Sequence, residues 1–259
     1  MPGPPVIGII PARLGSTRFP GKVLADATGR PLIRHVVEAA RRAPSLARIV
    51  VATDDDRVAH AVRSFGGECV LTSPDHPNGT SRLHEACARL SIPEAPGDEI
   101  IVNVQGDEPE IEPALIEAGI AALRAAPWGV DASTVALPIS DPADAANPNV
   151  VKVVRRQDGA ALYFSRSLIP FDRDNSGAAA PLRHVGLYVY RRRFLARYVT
   201  LAPTPLELAE KLEQLRALEH GLPMAVALPE NAASLRAPAG IDTAEQYARF
   251  VERWNAPPR

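Results

Sequence analysis

Three short runs in this chain, Val6-Ile7-Gly8-Ile9-Ile10, Arg48-Ile49-Val50-Val51-Ala52-Thr53 and Ile100-Ile101-Val102-Asn103-Val104, are apolar at almost every position. A strand with one wet face alternates apolar and polar residues. A run that does not alternate must be covered on both sides, as strands inside a parallel sheet are. Between these runs, residues 31–42 (PLIRHVVEAARR), 56–65, 80–90 and 113–125 carry apolar residues at helical spacing, with Pro31 and Pro113 suited to first turns. Alternation of strand and helix up to about residue 126 predicts a doubly wound parallel α/β sheet.

Beyond that point the pattern changes. Residues 132–137, 150–154, 162–164 and 184–190 read as strands with few helices between them, which predicts antiparallel additions to the sheet. Residues 205–220 are expected to form one amphipathic helix bearing Glu207, Glu210, Glu213 and Gln214, and residues 243–254 a last helix. The polar, Gly/Ala-rich stretch 172–181 (DRDNSGAAAP) reads as a mobile loop.

The run PARLGSTRFPGK at residues 11–22 follows the first predicted strand directly. Its glycines allow backbone amides to approach phosphate oxygens, and Arg13, Arg18 and Lys22 supply charge-assisted donors. Ligands of such folds gather at the carboxyl ends of strands, so the run is a candidate polyphosphate loop. It is neither GxxxxGK[ST], because Val23 follows Lys22, nor GxGxxG. A solvated charged turn is the plain alternative.

Composition limits the partners. A formal net charge of −1, from 29 basic and 30 acidic residues, creates no global field for nucleic acid or an anionic membrane. Cys69 and Cys87 sit in apolar patterns, so neither a disulfide framework nor a CxxC metal site is available, and both read as small buried hydrophobes. No apolar stretch approaches about 20 residues, and no basic region precedes the N-terminal apolar run, so a cytoplasmic location is expected.

Carboxylates and further cations follow. Gln105-Gly106-Asp107-Glu108-Pro109 ends the third apolar run, and a carboxylate there suits Mg²⁺, which takes one or two protein carboxylates plus substrate phosphates. Asp107 is the first metal candidate, a turn or N-cap role for Asp107 and Glu108 is the plain alternative, and Gly240-Ile241-Asp242-Thr243 reads first as a helix cap. His76-Pro77-Asn78-Gly79-Thr80-Ser81-Arg82 leads into a helix N-terminus that favours anions, or is simply a capped turn. Arg166, and His184 with Tyr188 on one strand face, could reach an acidic substrate, although a lone strand histidine is more often structural. Arg183 and Arg191 to Arg193 read as solvated surface.

Taken in order, IIPARLGSTRFPGK, VATDD, NGTSR, IVNVQGDEP, NPNVVKVV, ALYFSR, RHVGLYVYR, LEQLR and GIDT closely resemble the 3-deoxy-manno-octulosonate (Kdo) cytidylyltransferase family, over nearly the whole chain. The resemblance implies an α/β, doubly wound Rossmann-like mixed sheet of the nucleotidyltransferase type, with a smaller antiparallel insertion for sugar binding and dimerisation. The whole chain, 1–259, would be a single nucleotidyltransferase domain, with residues 1–130 as its CTP-binding half and 131–259 as its sugar-binding and dimerisation half. It further implies that Arg13, Gly15, Ser16, Arg18, Lys22, Thr80, Arg82 and Gln105 bind CTP. Gln105, Arg166, His184, Tyr188, Glu213 and Gln214 would line the Kdo pocket, with Arg166 as partner of the sugar carboxylate. Asp107 and Asp242 would hold Mg²⁺ and, with Arg13 and Lys22, form the catalytic set.

The implied reaction joins the 2-hydroxyl of Kdo to the α-phosphate of CTP and releases pyrophosphate, in a homodimer serving lipopolysaccharide biosynthesis. The alternatives are a cytidylyltransferase for 8-amino-Kdo or a nonulosonic acid, and a non-catalytic nucleotide-binding regulator. The match is loose over residues 222–239, the segment that delivers Asp242.

Overall fold

The computed structural model describes residues 5–16, 18–92, 99–127 and 129–256. The three apolar runs become β1 (Val6–Ala12), β2 (Leu46–Thr53) and β4 (Ile100–Asn103), joined by a short β3 (Glu68–Leu71). They pair in parallel in the order β3-β2-β1-β4. Helices α1 (Leu32–Ala40), α2 (Asp56–Ser64), α3 (Gly79–Arg89) and α4 (Pro113–Ala125) provide the connections, with Pro113 in the first turn of α4 as expected.

Both faces of the sheet are covered, and neighbouring residues of one strand show it. Ile10 joins a cluster with Ile33 and Val36 of α1, Val58 of α2 and Ile116 of α4. Ile9 joins an opposite cluster with Leu83 and Cys87 of α3. Both isoleucines are fully buried, and each such burial stabilises the fold by about 1.5–3 kcal/mol. Non-alternating runs are therefore read correctly as doubly covered strands.

The second half extends the same sheet, so the two halves share one sheet. It contains β5 (Ala132–Pro138), α5 (Pro142–Ala146), β6 (Lys152–Arg155), β7 (Ala161–Ser165), β8 (Leu182–Arg191) and α6 (Arg192–Tyr198). Then come α7 (Pro205–Glu210), α8 (Glu213–Glu219), β9 (Ala225–Ala227) and α9 (Ala244–Asn255). Strand β8 runs antiparallel between β4 and β5, β9 lies parallel on β5, and β6 and β7 form an antiparallel pair attached to β8. The mixed sheet with a small antiparallel addition matches the expected class.

Three expectations are corrected. Residues 205–220 form two helices, because Lys211 takes a left-handed conformation (φ 54°, ψ 47°) between α7 and α8. No glycine or proline marks the break, and the apolar spacing runs through it, so pattern alone could not reveal it. Arg192 is not solvated: it is fully buried, with Nη1 donating to His84 Nδ1 at 2.9 Å, while Arg193 holds Asp131 at 2.9 and 2.5 Å. Cys87 is buried as expected, but Cys69 is only partly so. Desolvation raises both thiols, to about 12 for Cys87 and about 11 for Cys69, which leaves them unreactive near neutrality.

Candidate active site

The carboxyl ends of β1 and β4 open into one continuous cleft of two parts. A recess of about 360 Å³ is lined by Arg13, Ser16, Arg18, Lys22 and Asp107. A larger hollow of about 1050 Å³ adjoins it, reaching Arg166, His184, Tyr188, Glu213, Gln214 and Asp242. Arg18, Gly79 and Gln105 border both. Residues from sequence positions 13 to 242 thus meet at the strand ends, where helix and strand termini gather in such sheets.

Lys22 is the centre of the charge arrangement. Its Nζ donates to Asp107 Oδ2 at 2.6 Å and to Asp242 Oδ1 at 2.9 Å, and Arg18 pairs with the other oxygen of Asp242 at 2.9 Å. Burial alone would lower the Lys22 ammonium, but the two carboxylates outweigh it and hold its pKa above the ordinary value. Asp242 reaches this point because Thr243, not Asp242, caps α9: Thr243 and Gln246 form a reciprocal capping box. The N-cap position of α4 falls on Glu112, without a side-chain cap bond, which leaves Asp107 and Glu108 in the turn begun by Gln105, whose carbonyl accepts from the Glu108 amide.

Gly106 explains how this turn comes so near the first loop. A Cβ at this position would lie 2.6 Å from the Pro11 carbonyl oxygen. Only glycine permits the approach, and it places Asp107 against Lys22.

Arg13 is tied to the loop before α3. Its Nη2 donates to the carbonyl of His76 and, at 3.4 Å, to that of Asn78. Asn78 caps α3, its side chain accepting from the Ser81 amide at 2.9 Å. Thr80 is buried and donates to Glu213 at 3.0 Å, so it links α3 to α8.

Arg82 departs from expectation. It is fully buried, pairing with Asp54 at 3.1 Å and Thr72 at 2.5 Å, and does not face the cleft. A motif match places a residue in the sequence but not its side chain in space.

On the wall of the larger hollow, a bulge in β8 sets the side chains. Thr134 pairs with Tyr188 but Val135 with Val185, so Gly186 and Leu187 have no opposite partner. Gln105 Nε2 donates to the carbonyl of Gly186 at 2.9 Å, and Tyr188 Oη donates to Gln214 Oε1 at 3.0 Å. Thr134 Oγ1 lies 2.7 Å from the Leu187 carbonyl and 2.9 Å from His184 Nε2. The hydroxyl donates to the carbonyl, so it accepts from His184 Nε2–H, a network that assigns the tautomer. Burial lowers His184 to about 3, so the ring is neutral at physiological pH and serves as a hydrogen-bonding group.

Two cleft residues escaped the sequence reading in this role. Glu108 is buried, with Oε2 lacking a partner among the described residues, and desolvation with the nearby Asp107 charge raises it to about 8. Arg183, read as solvated surface, lines the hollow. Its place on β8 one residue before His184 was the available signal.

No cluster of three or more metal-ligating side chains occurs among the described residues. The pair Asp107 and Asp242 nonetheless converges on one cation, the Lys22 ammonium. Two carboxylates fit Mg²⁺, which retains waters and takes the rest of its shell from substrate phosphates.

The family model described as cytidylyltransferase matches residues 7–226, which puts this mixed α/β sheet, with a cation-rich loop at its strand ends, among the nucleotide-handling transferases. The chain is 49% identical to 3-deoxy-manno-octulosonate cytidylyltransferase of Geobacter sulfurreducens, over 96% of this chain and 98% of that protein. The same enzyme of Vibrio cholerae strain M66-2 is 47% identical, with 92% of each chain covered. A solved structure of CMP:2-keto-3-deoxy-manno-octonic acid synthetase complexed with CTP superposes with a TM-score of 0.86 at 39% identity, covering 96% of this chain and 97% of that one. The chain belongs to the 3-deoxy-manno-octulosonate cytidylyltransferase family.

Proposed function

We propose that this protein activates Kdo for lipopolysaccharide biosynthesis, transferring CMP from CTP to the sugar's 2-hydroxyl with release of pyrophosphate. The observation that carries this is the continuous cleft itself. A cationic recess at one end meets a hydrogen-bonding hollow at the other, with Asp107 and Asp242 at the junction.

The 2-hydroxyl oxygen forms a bond to the α-phosphorus as the bond to the bridging oxygen breaks, pyrophosphate leaves with that electron pair, and the hydroxyl proton passes to solvent water. Such transfer needs positioning and charge stabilisation more than covalent chemistry. Arg13, Ser16, Arg18 and Lys22, with the backbone at Gly15, cradle the triphosphate. Thr80 acts through the α3 start, whose Gly79 borders both parts of the cleft. Asp107 and Asp242 would hold Mg²⁺, which when bound offsets phosphate charge and acidifies the sugar hydroxyl. Arg166 pairs with the sugar carboxylate through its planar fork of donors. Gln105, His184, Tyr188, Glu213 and Gln214 orient the sugar hydroxyls. Neutral His184, with Nε2–H committed to Thr134, offers Nδ1 as a hydrogen-bond acceptor and does not take the proton.

The working form is read as a cytoplasmic homodimer. Supporting the dimer, exposed apolar side chains occur at Leu162 on β7, at Leu168 and Phe171 just after it, and at Leu206 and Leu208 on α7. Among the described residues, no helix is long and apolar enough to cross a membrane.

Pyrophosphate release tests the proposal: purified protein with CTP and Mg²⁺ is given Kdo, 8-amino-Kdo or a nonulosonic acid. Release with Kdo, at the highest kcat/KM of the three, is expected. Silence with Kdo alongside turnover of another acid overturns the substrate.

A further inference from the structure

Lys152 carries a charge for which the proposed reaction has no use. It is fully buried on β6, inside the run NPNVVKVV, and does not line the cleft. Its Nζ donates to three carbonyls, those of Asn147 at 2.9 Å, Val150 at 2.6 Å and Arg166 at 2.6 Å. An ammonium has three donors, and all three are satisfied. Burying this charge is still costly, since a packed apolar side chain would fill the space without stripping an ion of water. Stability alone therefore does not account for it.

The third acceptor does. Besides the carbonyl held by Lys152, Arg166 is fixed at three more points. Its amide donates to Glu210 Oε2 at 2.9 Å, Nε to the Glu210 carbonyl at 2.7 Å, and Nη1 to the Pro148 carbonyl at 3.0 Å. Pro148 lies between Asn147 and Val150, so one ammonium anchors both the Arg166 backbone and the turn that orients its guanidinium. Glu210 is itself held by Ser165 Oγ at 2.6 Å. The break at Lys211 separates Glu210 from Glu213, directing one to β7 and the other to Thr80. With Nε–H and one Nη1–H committed to main-chain carbonyls, the second Nη1–H and the Nη2 hydrogens form the fork left for a ligand among the described residues.

We propose that Lys152 and Glu210 are positioning residues that set the Arg166 guanidinium for the substrate carboxylate. The inference rests on the reading of Arg166 as the carboxylate ligand, and the test separates the two. Steady-state KM values for Kdo and CTP are measured for Arg166→Ala, Lys152→Met and the double variant, with far-UV circular dichroism as a check on folding.

Arg166→Ala is expected to raise KM for Kdo about 100-fold and Lys152→Met about 10-fold, with KM for CTP changing less than about 2-fold in each. The double variant should match Arg166→Ala alone, because both changes remove one interaction. If Lys152→Met does not fold, Glu210→Gln takes its place with the same expected split. An unchanged KM for Kdo in Arg166→Ala overturns the underlying reading and the inference with it. A raised value there, with Lys152→Met or its substitute unchanged or multiplying in the double variant, overturns the positioning role alone.

Discussion

Gly106→Ala isolates the close approach on which the site depends, because it adds one methyl group and no charge. The new Cβ would meet the Pro11 carbonyl oxygen at 2.6 Å, and ordinary contact begins at 3.4 Å, so the turn must retreat by about 0.8 Å. The obstacle is backbone at the end of β1, where Pro11 and Ala12 are still in register with Ala52 and Thr53 of β2 and cannot yield cheaply. The Gln105–Glu108 turn therefore moves, and Asp107 moves with it, away from Lys22. Overpacking of this kind costs about 1–3 kcal/mol, which a domain of this size survives. A displacement near 1 Å at reacting groups costs about 100-fold in rate. Thermal unfolding followed by circular dichroism should show a folded protein with a lower midpoint, and pyrophosphate release should show kcat reduced by about that factor. A folded variant with kcat within about 2-fold of the parent would refute the argument that this contact places Asp107.

Asp107→Asn should lower kcat by at least about 100-fold while leaving the far-UV spectrum unchanged, as checked by steady-state pyrophosphate release. Lys22→Met removes the ammonium that bridges Asp107 and Asp242, so Mn²⁺ titrated without nucleotide and followed by electron paramagnetic resonance should bind more tightly than to the parent. Arg82→Met breaks a buried pair with Asp54 and should cost about 3–5 kcal/mol in denaturant unfolding. His184 is held neutral in the fold down to about 3, whereas the unfolded chain protonates it near 6.5. Its contribution to stability is thus present above 6.5 and lost as pH falls toward 3. Unfolding free energies from urea titrations across that window should fall less steeply in His184→Gln, by up to about 1.4 kcal/mol per pH unit.

The parts of the fold that were legible share one property, namely that local pattern and final environment agree. Ile9 and Ile10 point to opposite faces and both faces are covered, so the absence of alternation carried the answer. Lys211 shows the opposite case. A non-glycine residue in a left-handed conformation is held there by contacts at Glu210 and Glu213 that are distant in sequence, and no local pattern records them. In the site, the loop of residues 13–22 was readable because its charges and glycines lie together. Asp242 looked like a cap from its own neighbours, and only the fold, which brings it 2.9 Å from Lys22, separates it from Thr243. Arg82 and Arg192 failed in the other direction: a charge looks solvated or functional in sequence, and burial with a partner is visible only in three dimensions.

The proposed reaction requires the cationic recess and the larger hollow to work as one site joined at Asp107 and Asp242. A crystal structure with CTP, Mg²⁺ and an unreactive Kdo analogue tests it most directly. One ion is expected to take an oxygen from each carboxylate at about 2.1 Å, with the triphosphate against residues 13–22 and the analogue carboxylate on Arg166. A triphosphate bound elsewhere, or an ion held without Asp242, would contradict it.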